Sequence, residues 1–405
     1  RAEAGDLASR LELPKPEKMP LKNWNLDRYG DYRPGRPVND PSELPAALTA
    51  LLADAKAEAL IVQHNSGVVL TRLPAELAAK GVVLTSLDEA VRTHERLFRD
   101  HFMTAYKRDE HRLAALHAAL WSGGVLLYVP KNVEIETPVQ IVVYADDAAA
   151  TLAPHVLVVA DAHSRVTVVE HMVSALPGDA GTLVVNGAVE VFAKAGAHVR
   201  YASVHHMESR AVDIAYRRAV LGNDAVVEWI VGDLHDGDLL SDIRSELEGN
   251  GSNSDMKVIT VGTGSQRMSL TTNARHIGKA SESNMITRAV MTEEATAIMT
   301  GVTKIEKGAT KANGEQTERV LMLSPKARGD ANPILLIDED DVKAGHAASV
   351  GQVNEEQLYY LMSRGISRKD AERLIIHGFL NPVVAEIPHE GLRETMQRIL
   401  ERKLG

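Results

Sequence analysis

Two hydrophobic periods divide this chain of 405 residues. Through residue 121 the apolar positions recur at helical spacing. Leu113, Leu116 and Leu120 share one face of a segment from Asp109 to Trp121, which stops at Ser122-Gly123-Gly124. Asp40-Pro41-Ser42-Glu43 offers an N-cap aspartate, a proline at the first helical position and a glutamate to close a capping box. Ser86-Leu87-Asp88-Glu89 repeats the device ahead of a helix through Val91, Leu97 and Phe98. After Gly124 the period falls to two. Val125, Leu127 and Val129, then Val133 and Ile135, then Val139, Ile141 and Val143 alternate with other residues in short runs. Pro130-Lys131-Asn132 and Glu136-Thr137-Pro138 separate those runs, which predicts short strands joined by tight turns.

That texture persists to about residue 337 and is loosely periodic. Segments of similar pattern begin at Ser164, Ala197, Ala225, Asp255 and Asn284, spaced by about 30 residues, which is a period of stacked repeat architectures. The expected fold is mainly β, a right-handed parallel β-helix spanning 122–337 between a mainly helical region at 1–121 and a helical region at 338–405. An ordinary β-sandwich with irregular loops is the competing reading. Helical signals return at the end of the chain. Asn354 can cap a helix carrying Leu358, Leu361 and Met362, with Gly365 to end it; Ser367 and Asp370 form a further capping box, with Gly378 as the stop. A last helix carries Leu392, Met396, Ile399 and Leu400.

Composition narrows the function classes. Hydrophobic residues make up 44% of the chain but aromatic residues only 4%, which suits repetitive close packing better than a deep globular core. The 55 acidic against 45 basic residues argue against a general affinity for nucleic acid or an anionic membrane. No apolar run approaches the ~20 residues needed to cross a bilayer, and the start at Arg1 is polar, so a soluble, cytoplasmic protein is expected. With no cysteine, the chain by itself offers no disulfide, thiolate nucleophile or four-thiolate site. Asn273 stands where a phosphate-binding loop ending at Gly278-Lys279 would need glycine, so ATP hydrolysis is not expected.

The most informative stretch is Asp341-Val342-Lys343-Ala344-Gly345-His346-Ala347-Ala348-Ser349-Val350-Gly351, followed by Asn354-Glu355-Glu356-Gln357-Leu358-Tyr359-Tyr360-Leu361. It resembles the C-terminal signature of the SufB/SufD family, scaffold proteins of the Suf iron-sulfur cluster assembly machinery, and resembles the SufD branch more closely. SufB-like chains place an acid directly after the histidine, where Ala347 stands here, and supply a thiol that this chain lacks. Pro14-Lys15-Pro16-Glu17-Lys18 with Trp24-Asn25 also looks like the family's N-terminal segment.

The resemblance implies a non-enzymatic scaffold in a SufB-SufC-SufD complex, aiding iron supply to a transient iron-sulfur cluster. It implies that His346 binds iron or the nascent cluster at a site shared with SufB, and it leaves room for a flavin in the assembled complex. Pairing with SufB is expected through the last solenoid strands around Arg319-Val320-Leu321-Met322-Leu323-Ser324, the SufC ATPase docking on the helices after Asn354. A homodimer through the same edge is expected when SufB is absent. Without the resemblance, a lone histidine after a turn, as His346 is, is more often a hydrogen-bonded structural residue than a ligand.

Other candidates are weaker. Asp338-Glu339-Asp340-Asp341 could hold a divalent cation, though a solvated acidic turn is the better reading. His205 and His206 are adjacent, so on an extended strand they point to opposite faces and do not share a metal. His163, His171, His276 and His377 form no constellation by spacing. The rival from another class is a β-helix polysaccharide lyase or hydrolase with the acidic run binding calcium.

Overall fold

The computed structural model describes residues 1–26, 28–53, 58–178, 181–208 and 210–404. Along most of it a strand pairs not with its chain neighbour but with the strand one coil further on. One sheet has ten strands: Gly67–Arg72, Leu60–His64, Val139–Ala145, Arg165–Ser174, His198–His206, Val226–Asp233, Asn253–Gly262, Glu282–Met291, Asn313–Met322 and Lys343–Gln352. The facing sheet has nine: Val83–Ser86, Val125–Val129, His155–Ala160, Leu183–Ala193, Ala211–Leu221, Asp238–Leu247, Arg267–His276, Thr296–Ile305 and Arg328–Ile337. All ladders are parallel except Leu60–His64 with Gly67–Arg72 and Val83–Ser86 with Val125–Val129. This is a parallel β-solenoid of about eight turns.

The 30-residue period is one full coil, which spends one strand in each sheet. Hydrogen bonds between coils accordingly join residues 29 apart, from Arg267 to Asp238 and from Asn284 to Asp255. The sheets also run beyond 122–337. They begin with a hairpin, Leu60–His64 and Gly67–Arg72, whose turn is His64-Asn65-Ser66-Gly67, and they end with Lys343–Gln352.

Between the sheets, inward side chains stack in register from coil to coil. Val139, Val168, Tyr201, Trp229, Met256 and Met285 form one such column. All six are buried, and the Trp229 indole donates to Ser245 Oγ at 3.2 Å. Burying a side chain of this size contributes roughly 1.5–3 kcal/mol, and it does so only where a neighbouring coil covers it.

Helices coat the outer faces. On the nine-stranded sheet, Met19, Leu21, Trp24, Tyr106 and Leu113 pack against Val184, Val212, Ile214, Tyr216 and Leu240. Glu190 fastens this layer. Its carboxylate accepts the amides of Met103, Ala105 and Tyr106 at 2.6, 2.8 and 2.9 Å and lies 2.9 Å from His155 Nε2. On the ten-stranded sheet, helices Arg368–Val384 and Glu390–Leu404 bury Ile376, Leu380, Val383, Met396, Ile399 and Leu400 against Val204, Ile230, Ile259 and Val290.

Most capping signals act as expected, with three local differences. The Asp40 box caps only the short turn Pro41–Glu43. The helix capped by Ser86 breaks at His94, which leaves helical geometry, into Leu87–Thr93 and Glu95–His101. Gly378 does not stop its helix, because Leu380, Val383 and Val384 beyond it are buried and carry the helix on. Asn354 caps Glu355–Ser363 through the amides of Glu356 and Gln357, and Gly365 ends it at φ +87°. No helix among the described residues is long and apolar enough to cross a membrane.

Replacing Glu190 by Ala leaves the buried amide of Tyr106 and the partly buried amides of Met103 and Ala105 without their acceptor. The expected loss is about 2–4 kcal/mol of stability, with faster amide hydrogen exchange at residues 103–106 than elsewhere in the helical layer; denaturant titration and exchange mass spectrometry measure both.

Candidate functional site at the open end of the solenoid

His346 is the last member of the Val139-to-Met285 column, which continues through Gln316 to His346. Gln316 is enclosed, with its amide nitrogen 3.4 Å from the Ile334 carbonyl and its oxygen accepting from Thr303 Oγ1 at 3.3 Å. His346 pairs with it and so points to the same side of the sheet, yet it is exposed, since no further coil covers it. It therefore sits within the final strand, Lys343–Gln352. Gly345 beside it leaves room for the Glu315 carboxylate, whose Oε2 would lie 2.4 Å from a Cβ there.

Two residues along, Glu318 is buried under Ala348, its register partner. Neither carboxyl oxygen has a hydrogen-bond partner, and burial pushes the pKa up to about 7. The space it fills exists because position 301 is glycine; a Cβ on Gly301 would come within 1.9 Å of Glu318 Oε1. Just below His346, the lumen thus changes from methionine and valine to an amide and a carboxyl.

The free edge lies one coil beyond the expected place. Arg319–Met322 belongs to an interior strand, paired on both sides with Glu282–Met291 and Lys343–Gln352. The terminal strands are Lys343–Gln352 and Arg328–Ile337, each hydrogen-bonded on one side only. They expose Leu336, Ile337 and Val350.

The acidic run is the turn between those strands. Asp338 pairs with Lys304, and Glu339 accepts the amides of Gly308 and Asp340 at 2.9 and 3.0 Å. Its carboxylates hold the turn rather than converge on one point. His276 sits between Ser281 and Ser283 at 2.9 and 2.8 Å. His163 packs on Gly196, and burial lowers the pKa of His171 to about 3.

His205 and His206 do diverge, but His205 enters a charged enclosure that its spacing did not announce. Its Nδ1 lies 2.7 Å from Asp213 Oδ2 and its Nε2 3.6 Å from Glu170, while Arg217 bridges to Asp233 at 3.0 Å. Burial alone would lower the imidazole pKa; Asp213 reverses this and holds it at about 10. Glu170, Asp213, Arg217 and Asp233 escaped notice because only the coil-to-coil register shows that they share an interior.

Residues 142–379 match the family described as "SUF system FeS cluster assembly, SufBD core domain", and residues 56–141 match "SufBD protein N-terminal region". The chain belongs to the SufBD family. It is 46% identical over its whole length to iron-sulfur cluster assembly protein SufD of Bacillus subtilis, covering 93% of that protein. It is 27% identical to SufB of the same organism, across 84% of this chain and 72% of SufB. A SufBD family protein of Staphylococcus epidermidis is 28% identical across the same shares. The contrast places this SufBD protein on the SufD side, as a non-catalytic component of Suf iron-sulfur cluster assembly.

Glu318 gives the site of this SufBD protein a pH signature. Its folded pKa of about 7 exceeds the ordinary 4.5, so the protonated form favours folding. That contribution is full below pH 4.5 and is lost as pH rises through 7. Glu318→Gln, neutral throughout, should gain on wild type between pH 5 and pH 8 by on the order of 2 kcal/mol. Urea denaturation at the two pH values measures this; an equal difference at both would mean the carboxylate is not buried when charged.

Proposed function

We propose that this chain is the SufD-like member of a SufB-SufC-SufD scaffold and that His346 is its contribution to a shared site where iron and sulfide become a nascent cluster. The observation that carries this reading is the placement of His346: a lumen-side imidazole, accessible at a terminal strand whose backbone edge is unpaired. Such an edge can extend a partner's sheet, which gives main-chain hydrogen bonds and seats Leu336, Ile337 and Val350 in a common interface. A neutral imidazole is a suitable iron ligand. Since the chain has no cysteine, any thiolate ligands come from the partner, and the cluster is cargo of the assembled complex. In isolation the same edge serves a homodimer.

The ATPase contact belongs on the C-terminal region, 338–405, and within it on the helical hairpin formed by Glu355–Ser363 and the start of Arg368–Val384. Tyr359 is 75% exposed and Tyr360 58%, with Leu374 at 53% close by in sequence. Glu356, Gln357, Tyr360, Leu361 and Ile375 line a shallow groove of about 410 Å³. Aromatic side chains presented in this way on a helix are suited to anchor a partner.

Three outcomes test the proposal. With SufB and SufC present, His346→Ala should leave the complex intact by gel filtration while cluster absorption on reconstitution with iron and sulfide falls severalfold; unchanged absorption rejects the ligand role. Leu336→Lys with Val350→Lys should weaken SufB binding by tenfold or more (about 1.4 kcal/mol) without lowering the thermal midpoint of this chain. Tyr359→Ala with Tyr360→Ala should release SufC and leave SufB bound, as pull-down with each partner separately would show.

A further inference from the structure

The enclosure around His205 is a second site, far along the lumen from the terminal strand. His205, Asp213 and Asp233 offer ligand atoms that all lie within 4.8 Å of one another, and all three residues are buried. His205 Nδ1 is 2.7 Å from Asp213 Oδ2 and 4.0 Å from Asp233 Oδ1. His235 stands beside this group, next to Asp213. His235 is fully buried, its Nδ1 is 3.9 Å from Asp213 Oδ2, and neither ring nitrogen makes a hydrogen bond. Asp213 Oδ1 is likewise buried without a partner.

A network that existed only to hold the coils together would satisfy these atoms, because a buried polar atom left unpaired costs about 1–3 kcal/mol. Charge points the same way. Glu170, Asp213 and Asp233 face a single guanidinium, Arg217, which leaves two negative charges, and the proton on His205 offsets only one of them. A divalent cation in place of that proton offsets both. Two imidazoles with two carboxylates and no thiolate form a nitrogen-oxygen donor set that suits first-row transition metals of the iron and zinc class better than magnesium or calcium.

We propose that His205, Asp213, Asp233 and His235 bind one divalent transition-metal cation inside the solenoid, at a site independent of His346. The cation takes the place of the proton now shared between His205 Nδ1 and Asp213. It reaches the site past the loop that carries His235. The next residues, Asp236 and Gly237, line an open groove of about 1170 Å³, and the last turn of the C-terminal helix latches this loop. Lys403 Nζ donates to the His235 carbonyl at 2.8 Å and to Asp236 at 2.7 Å.

The test uses the full chain, stripped with chelator and titrated with Co²⁺ alone, with uptake read by equilibrium dialysis and by the ligand-field absorption of the bound ion. Wild type and His346→Ala should each bind one equivalent, displaced by Zn²⁺ but not by excess Mg²⁺. Asp213→Asn and His235→Ala should lose it. His235→Ala is the safeguard against misfolding, since it removes a ring that hydrogen-bonds to nothing, and circular dichroism checks both variants. The proposal is overturned if wild type shows no stoichiometric uptake, if both enclosure variants bind as wild type does, or if His346→Ala abolishes the uptake.

Discussion

A coil of this solenoid cannot bury its own inward side chains. Val168 is covered by Val139 on one side and Tyr201 on the other, and Trp229 by Tyr201 and Met256. Stability therefore resides between coils, and the stack has to end somewhere with a face left uncovered. At one end the covering is done by the antiparallel hairpin Leu60–His64 and Gly67–Arg72. At the other, no further strand among the described residues pairs with Arg328–Ile337 or Lys343–Gln352, and the lumen column finishes on Gln316 and His346 instead of another methionine. The architecture itself makes the last coil the place where a polar, accessible side chain and an unpaired sheet edge occur together.

The charged enclosure around His205 has no such excuse. It lies in the middle of the stack, with apolar residues of the same columns on both sides: Val143 and Ile141 before it, Ala289 and Val258 after it. Moving charges out of water costs several kcal/mol per ion, and apolar residues of similar volume usually serve stability as well or better. The outer ion pairs of the solenoid, such as Arg275 with Glu246 and Glu306, stay at the surface and incur little of that cost. A carboxylate-rich interior with unbonded imidazole nitrogens is thus a cost that packing does not explain, which is the reason for assigning it a ligand.

The solenoid was legible because its period is enforced by stacking. Ser164, Ala197, Ala225, Asp255 and Asn284 mark the same sheet on successive coils, so coil length shows directly in the chain. The second strand of each coil left no separate signal, and the hairpin at Leu60 was hidden inside a region whose helices dominate the pattern. His346 stands out in the sequence through a motif, whereas its geometry does not: a strand that pairs on one side only looks in sequence like any other. Glu318 and Asp213 were out of reach for a different reason. Whether a charged residue in a strand faces water or the lumen depends on the parity set by neighbouring coils, and an error of one residue in register reverses the answer.

Continuity of the chain ties the terminal strand to the helices. Lys343–Gln352 is followed by Val353 and then by Asn354, which caps Glu355–Ser363, so no slack separates the His346 strand from that helix. The next two helices are different in kind. They are held to the outer face of the ten-stranded sheet by Ile376, Leu380, Val383, Met396 and Ile399 and act as a fixed platform. Helix Glu355–Ser363 buries only Leu358, and is therefore the element of the C-terminal region that a partner can displace at least cost. A force applied to its exposed tyrosines has a short covalent route to the final strand and few contacts to dissipate it on the way. The cap at Asn354 keeps that connection short: a frayed first turn would insert flexible chain between the helix and the final strand, and the two amides held by its side chain prevent that.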